Sequence, residues 1–305
     1  MFRNLISLLV ALLALNMWAR ADTPRGMNAV DFVEMPRLSQ PALSPDGQTF
    51  AWLESETNWT ENEIVRHLRV IDIASGELRP TPDFKGRTSR IWWRPNSQGY
   101  IYLDALAEGE KTQAWFLDLA TGDTRQLTTH GESVRQVVWH PNGSGFFFSA
   151  AEVQPSSDTQ MFDAGWLIPP YGAQADAEVW WYEFASGETQ RLVHGLFSAL
   201  DVSVSRSGQH LITSLAPDHA LDSRHLADVF VRTLGEDETR RWTLNRFAER
   251  APRLSPDATR LAYLASVNPD GEPYYEAKVF VETLNGRRQR LLADRDMEAL
   301  AFAWD

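Results

Sequence analysis

The sequence predicts an all-β chain built from one repeated antiparallel unit, and three observations carry that prediction. A turn of Ser-Pro-Asp-Gly type recurs five times, each turn leads into a short aromatic or β-branched run, and each unit holds a second turn with a small or polar residue before glycine. Repetition at a fixed period says more about architecture than any single motif, because each unit needs its neighbours to bury its apolar surface.

The opening turns are Ser44-Pro45-Asp46-Gly47, Arg94-Pro95-Asn96-Ser97, His140-Pro141-Asn142-Gly143, the degraded Ser205-Arg206-Ser207-Gly208, and Ser255-Pro256-Asp257-Ala258. Proline presets the first central position, Asp or Asn caps the turn through its side chain, and glycine accepts the positive φ that tightens it. The strands that follow run from Phe50 to Leu53, Tyr100 to Leu103, Phe146 to Phe148, Leu211 to Leu215 and Leu261 to Leu264. The next strands enter the second turns: Leu68 to Ile73 before Ser75-Gly76-Glu77, Trp115 to Leu119 before Thr121-Gly122-Asp123, and Val179 to Phe184 before Ser186-Gly187-Glu188. Val229 to Leu234 before Gly235-Glu236 and Val279 to Leu284 before Asn285-Gly286 continue the series. A closing strand follows each, with Leu127, Leu192 and Leu291 at equivalent positions. Two hairpins per unit make four antiparallel strands.

The architecture expected is therefore a β-propeller of four-stranded antiparallel blades, five recognisable and a sixth just begun. Ala301-Phe302-Ala303-Trp304-Asp305 matches Val137-Val138-Trp139-His140 ahead of Pro141, so the propeller reads as truncated. The prolines at 45, 95, 141 and 256 imply a mean repeat of about 53 residues, slightly above the ~40–50 of propeller blades, with the surplus in insertions. A two-layer β-sandwich would also show short strands and turns, but it does not need the same opening turn and strand order five times. Runs such as Tyr100-Ile101-Tyr102-Leu103 and Phe146-Phe147-Phe148 are continuously apolar, as strands covered on both faces should be. The twelve Trp residues, including Trp52, Trp92, Trp93, Trp139 and Trp304, are read as packing between blades.

Composition bounds the function. Of 305 residues, 43% are hydrophobic, which excludes disorder as the main state. A formal charge of −12 is the wrong sign for neutralising phosphates and disfavours nucleic acid as a partner. The absence of cysteine excludes disulfides, thiol nucleophiles and thiolate metal sites. Residues 1–21 read as a signal peptide: Arg3, an apolar run from Leu5 to Met17, and an Ala19-Arg20-Ala21 cleavage site. That run is short of the ~20 residues of a spanning helix. Cleavage after Ala21 removes two arginines and shifts the formal charge from −12 to −14. The expected product is exported to a bacterial periplasm or exterior and carries no membrane segment; residues 22–40 form a lead-in and residues 41–305 an incomplete propeller.

The Ser-Pro-Asp-Gly turns and the second turns, as at Asp72 to Glu77 and Asp118 to Asp123, resemble the propeller repeats shared by the TolB periplasmic protein and prolyl oligopeptidase family peptidases. The lead-in from Asp31 to Gly47 resembles that of exported bacterial peptidases of that family, of the dipeptidyl- and acylaminoacyl-peptidase kind. The resemblance implies a propeller that caps an α/β-hydrolase domain and restricts access to its serine nucleophile. No Gly-x-Ser-x-Gly elbow occurs in the sequence, and Gly143-Ser144-Gly145 lies in a repeat turn. The hydrolase domain is expected to be absent from this chain, which alone is read as non-catalytic. In dipeptidyl peptidases of the family a pair of glutamates anchors the substrate amino terminus; no adjacent Glu pair exists here, so that exopeptidase role is not carried over.

No catalytic residue, cofactor or metal is therefore assigned. His140 fills a turn position held by Ser44, Arg94 or Ser255 elsewhere and is read as an exposed turn residue. His219 and His225, near Asp218, Asp222 and Asp228, match no metal-ligand spacing. The insertion from Glu152 to Ala177 is too apolar to float in water; it should pack on a neighbouring domain, on its own propeller or along a substrate channel. Its Phe162, Trp166 and Tyr171 are the candidate substrate-binding residues. The expected function is the propeller portion of a prolyl oligopeptidase-like serine peptidase, gating peptide access and docking the hydrolase domain of its parent chain. The alternative is a TolB-like periplasmic propeller that binds a protein or peptide partner. A sugar- or lactone-processing enzyme would need several His or acidic groups at the channel, where the repeat-aligned strands offer mostly apolar residues.

Overall fold

The computed structural model describes residues 25–82, 90–105, 107, 109–153, 176–193, 197–218, 220–244, 248–266, 277–283, 288–290 and 298–304. The signal-peptide segment 1–21, the candidates Phe162, Trp166 and Tyr171, His219 and Leu291 lie outside the described residues. A short helix α1 (Ala29–Glu34) opens the described chain, with Asn28 accepting from the backbone N–H groups of Val30 and Asp31 while Asp31 accepts from that of Asn28.

Five antiparallel sheets follow. The first holds β1 (Arg37–Leu43), β2 (Thr49–Asn58) and β3 (Glu63–Asp72), and the second β4 (Ile91–Trp93), β5 (Gly99–Asp104), β6 (Gln113–Asp118) and β7 (Thr124–Gln126). The third holds β8 (Val134–Trp139), β9 (Gly145–Ala151), β10 (Ala177–Glu183) and β11 (Thr189–Val193). The fourth holds β12 (Ser198–Val204), β13 (His210–Ala216), β14 (Asp228–Thr233) and β15 (Thr239–Arg241). The fifth holds β16 (Glu249–Leu254), β17 (Arg260–Ser266), β18 (Ala277–Thr283) and β19 (Arg288–Arg290). Each sheet is a meander in chain order, and the chain folds as the blades of a β-propeller. β1 starts at Arg37, inside the stretch read as lead-in. In the first blade a single bridge between Ile71 and Leu78 stands where the others carry a fourth strand.

The opening turns form as their chemistry dictates. The Ser44 hydroxyl donates to Asp46 Oδ1 at 2.6 Å and accepts from Thr49 N at 2.9 Å, while Asp46 Oδ1 accepts from Gln48 N. Ser255, Asp257, Thr259 and Arg260 repeat this set. Gly47, Gly143 and Gly208 take φ near +70°, and Ser97 and Ala258 adopt the same region without glycine's freedom.

Packing between blades explains the continuous apolar runs. Tyr100 and Tyr102 face the first blade, against Leu53, Leu68 and Val70, while Ile101 and Leu103 face the third, against Val137, Phe146 and Phe148. Phe147, between those two phenylalanines, turns the other way and packs with Val202 and Leu211 of the fourth blade. Ile212 in turn meets Leu261 and Tyr263 of the fifth. The period of two is intact, but both faces are dry.

Candidate functional site

Two regions of the propeller carry polar side chains that the repeat does not need for its core: the rim of opening turns and the inner wall of first strands. At the rim, the first four turns are tied each to the next. Asp46 N donates to Ser97 Oγ at 3.0 Å, Arg94 donates to the Gly143 carbonyl at 3.1 Å, and His140 Nε2 donates to the Gly208 carbonyl at 3.0 Å. His140 is therefore half-buried and joins two blades, where an exposed turn residue was expected. Arg94 lies over the Phe184 ring, 4.2 Å from its centroid, and burial lowers its pKa.

The inner wall is built because first strands pack on one another: β1 on β4, β4 on β8, β8 on β12 and β12 on β16. Each is the terminal strand of its sheet, so its inner edge lacks a strand partner. Bulges interrupt four of these strands, between Ser39 and Ala42, Val134 and Gln136, Ala199 and Asp201, and Arg250 and Arg253. Polar side chains bridge neighbours here: Gln136 donates to the Val202 carbonyl at 3.2 Å, and Asp201 accepts from Ala251 N at 3.0 Å.

Arg90, beside β4, and Arg135, Arg250 and Arg253 on the inner strands are all exposed, and among the described residues none of the four forms an ion pair. Arg253 keeps contact with solvent yet is desolvated enough to lower its pKa, with Asp201 opposing and Arg90 reinforcing that shift. Of the two acids on the inner strands, Glu249 is fully buried and accepts from Thr243 Oγ1, while Asp201 is half-buried.

Sequence reasoning passed over these arginines. Arg135 and Arg250 each precede their opening turn by the same interval, before His140 and Ser255, so aligning residues upstream of the turns would have shown them.

Elsewhere, two open pockets of about 440 Å³ flank Asp104 and Trp115. One is lined by Pro80, Tyr102 and Thr124, the other by Lys111, Gln126 and His130. Among the described residues no serine hydroxyl is hydrogen-bonded to a histidine ring, and no three His, Asp or Glu side chains gather as a metal site. No helix among them is long and apolar enough to cross a membrane.

No protein-family model matches the chain. A segment of 76 residues is 39% identical to dipeptidyl-peptidase 5 of Porphyromonas gingivalis, covering 25% of this chain and 11% of that protein. The TolB structure from Agrobacterium tumefaciens superposes with a TM-score of 0.53 at 16% identity, covering 84% of this chain and 80% of that one. Acylaminoacyl peptidase of Pyrococcus horikoshii gives a TM-score of 0.61 at 14% identity; the match covers 88% of this chain and 42% of the peptidase. The β-propeller domain of the Trilobed protease from Pyrococcus furiosus gives 0.60 at 11% identity, covering 88% and 74%. The chain thus has the fold of TolB-like propellers and of peptidase propeller domains, and it spans less than half of the acylaminoacyl peptidase it matches.

Proposed function

We propose that this chain is the propeller portion of an exported serine peptidase of the prolyl oligopeptidase kind, non-catalytic by itself, which gates peptide access and docks a hydrolase domain. The observation that carries the reading is the lead-in. Val30, Phe32, Met35 and Leu38 are 49%, 56%, 47% and 69% exposed, and α1 buries none of its residues. The segment is nevertheless fixed to the first blade: Thr57 donates to the Val33 carbonyl at 2.8 Å and Trp59 Nε1 to Glu34 at 2.9 Å. An apolar segment held in place with its side chains in water is a surface prepared for another domain. The segment similar to dipeptidyl-peptidase 5 supports the same direction, and residues 1–21 supply the export signal.

The test is fluorophosphonate labelling of the protein produced from its native locus, with intact mass. A labelled species about twice the mass of this chain is expected. An unlabelled species of this chain's own mass, with or without residues 1–21, overturns the reading. That second outcome would favour a TolB-like propeller that binds a partner, a reading favoured by the coverage of 80% of the Agrobacterium protein.

A further inference from the structure

We infer that the outer edge of β3 pairs with the same edge of a second copy of this chain, antiparallel and two-fold about Val65. First strands pack on one another inside the arc, so the last strand of each sheet lies at its circumference. The other blades carry a fourth strand there. The first has only the bridge between Ile71 and Leu78, where Asp72 N donates to the Glu77 carbonyl and Arg79 N to the Val70 carbonyl. Pro80 and Pro82 follow, neither with an N–H to extend the ladder, and the chain leaves to line a pocket with Tyr102 and Trp115 of the second blade. The bonds at Val70 and Asp72 show which backbone groups point outwards, and the register of β2 with β3 is unbroken from Asp72 to Glu63. Outward groups alternate along a strand, so those of Leu68, Arg66 and Ile64 face outwards too. Among the described residues, none of these N–H and C=O groups has a hydrogen-bond partner. Ile64 and Trp59, at the end of the same hairpin, are 58% and 56% exposed. Such an edge is a template for a further strand.

The geometry of the edge selects a second copy and fixes its register. Outward residues pair only with outward residues, which places the two-fold axis on a residue of β3. With the axis on Arg66, two arginines stand directly opposite, and Asn62 of the partner subunit falls on Val70, where Arg79 already sits. With the axis on Ile64, Asn62 enters the ladder at a φ of 54°, which is not extended. With the axis on Val65 these conflicts vanish. Ile64 exchanges hydrogen bonds with Arg66 of the partner subunit, Val65 meets its own copy, and Glu63 lies opposite the partner's His67 and diagonal to the partner's Arg69. The partner's strand begins opposite His67, so its hairpin turn clears Arg79. The free edge thus has the length of its own strand, and its one exposed acid meets basic side chains. The inference concerns the propeller edge and not a hydrolase domain, so it stands or falls separately from fluorophosphonate labelling.

The experiment is sedimentation equilibrium of the full chain from about 1 to 100 μM. The mass is expected to rise towards twice that of the chain, with a midpoint on the order of 10 μM, as suits a small interface. The sequence has no cysteine, so Val65→Cys introduces a single thiol. Residues on the axis form a non-hydrogen-bonded pair about 4.5 Å apart at Cα, within disulfide reach. Mild oxidation should link Val65→Cys into a dimer at least about tenfold faster than Glu188→Cys, which carries its thiol on an exposed turn of the third blade. Arg66→Pro removes an N–H that no bond within the chain uses and should abolish the dimer. Should that variant melt earlier than the parent monomer, Val65→Lys decides: it sets two like charges opposite and should weaken association at least about tenfold. A single-chain mass throughout leaves the edge to a strand of another protein and overturns the inference. Equal oxidation of the two cysteine variants, or undiminished association in Val65→Lys, overturns the site.

Discussion

The indole N–H of Trp139 donates to the carbonyl oxygen of Trp92 at 3.0 Å, joining the first strand of the third blade to that of the second. The same bond recurs from Trp93 to Ala42 at 3.2 Å and from Trp304 to Arg253 at 3.1 Å. In each case the donor is the last residue before an opening turn, or the position matching it, so one residue type at one repeat position links consecutive blades. Trp139 also meets Phe116, Phe146 and Phe184 with ring centroids 6.4, 5.7 and 5.6 Å away.

Trp139→Phe should keep most of the ring packing and lose the donor, lowering stability by about 1 kcal/mol. Trp139→Ala should cost about 3–5 kcal/mol, because it also opens a cavity between two blades. Urea unfolding of both variants measures the difference, and equal losses would mean that the hydrogen bond contributes nothing.

Gly145 opens β9 where the backbone of β10 comes too close for a side chain. A Cβ there would lie 2.2 Å from the Tyr182 carbonyl oxygen and 2.4 Å from the Trp181 ring. Gly145→Ala should therefore cost about 1–3 kcal/mol or more by overpacking. Gly47→Ala meets open space and suffers only from its positive φ, for about 1 kcal/mol. Thermal melts of the pair should rank in that order, and the reverse order would show that β9 and β10 can separate without penalty.

Thr243 holds a buried junction between the fourth and fifth blades. Its hydroxyl donates to Glu249 Oε2 at 2.5 Å and accepts from Val229 N at 2.8 Å, and Asp228 beside it pairs with Arg241. Thr243→Val preserves shape but strips the Val229 amide and the Glu249 carboxyl of a partner. A loss of about 1–3 kcal/mol is expected, the cost of a buried group left without its hydrogen bond. Thr128→Val tests the equivalent position in the second blade, where the hydroxyl accepts from Ala114 N at 2.9 Å and donates to Gln113. Stability unchanged in both variants would show that water or a neighbouring group takes the hydroxyl's place.

The blades were legible because turn chemistry and alternating burial are local. Ser44, Asp46 and Thr49 satisfy one another within a few residues, and Phe146 to Phe148 carries the mark of a strand covered on both faces. The inner wall was not legible by the same means. First strands are short, as at Ile91–Trp93, or bulged, as around Ala251, so neither period nor propensity marks the polar side chains on or beside them. Which first strands pack on one another, β4 on β8 and β12 on β16 among them, depends on how each sheet is turned, which is long-range geometry. His140 was underestimated for a related reason: its partner Gly208 lies in the next blade's turn, where a Cβ would sit 2.5 Å from the imidazole ring.

The turn carboxylates give the propeller an acid-sensitive term with a defined sign. The Asp257 carboxyl is held down from the ordinary 3.8 to about 2, first by the Ser255 hydroxyl and then by the Thr259 backbone N–H. Asp46 is lowered in the same way, by Ser44 and Gln48. A carboxyl whose folded pKa lies below its unfolded value stabilises the fold fully above the unfolded value and loses that contribution as pH falls through the folded one. The loss from Asp257 therefore falls between pH 3.8 and about 2. Asn96 and Asn142 fill the same position in the second and third blades, accepting from Gln98 N at 3.1 Å and Ser144 N at 2.8 Å, so a neutral amide is compatible with the turn. Asp257→Asn should accordingly fold, be less stable than the parent at neutral pH, and show a shallower decline in urea midpoint as pH is lowered through this window. Parallel declines in parent and variant would mean that Asp257 titrates alike in the folded and unfolded chains, and the Ser255 hydroxyl would then have no preference for the ionised form.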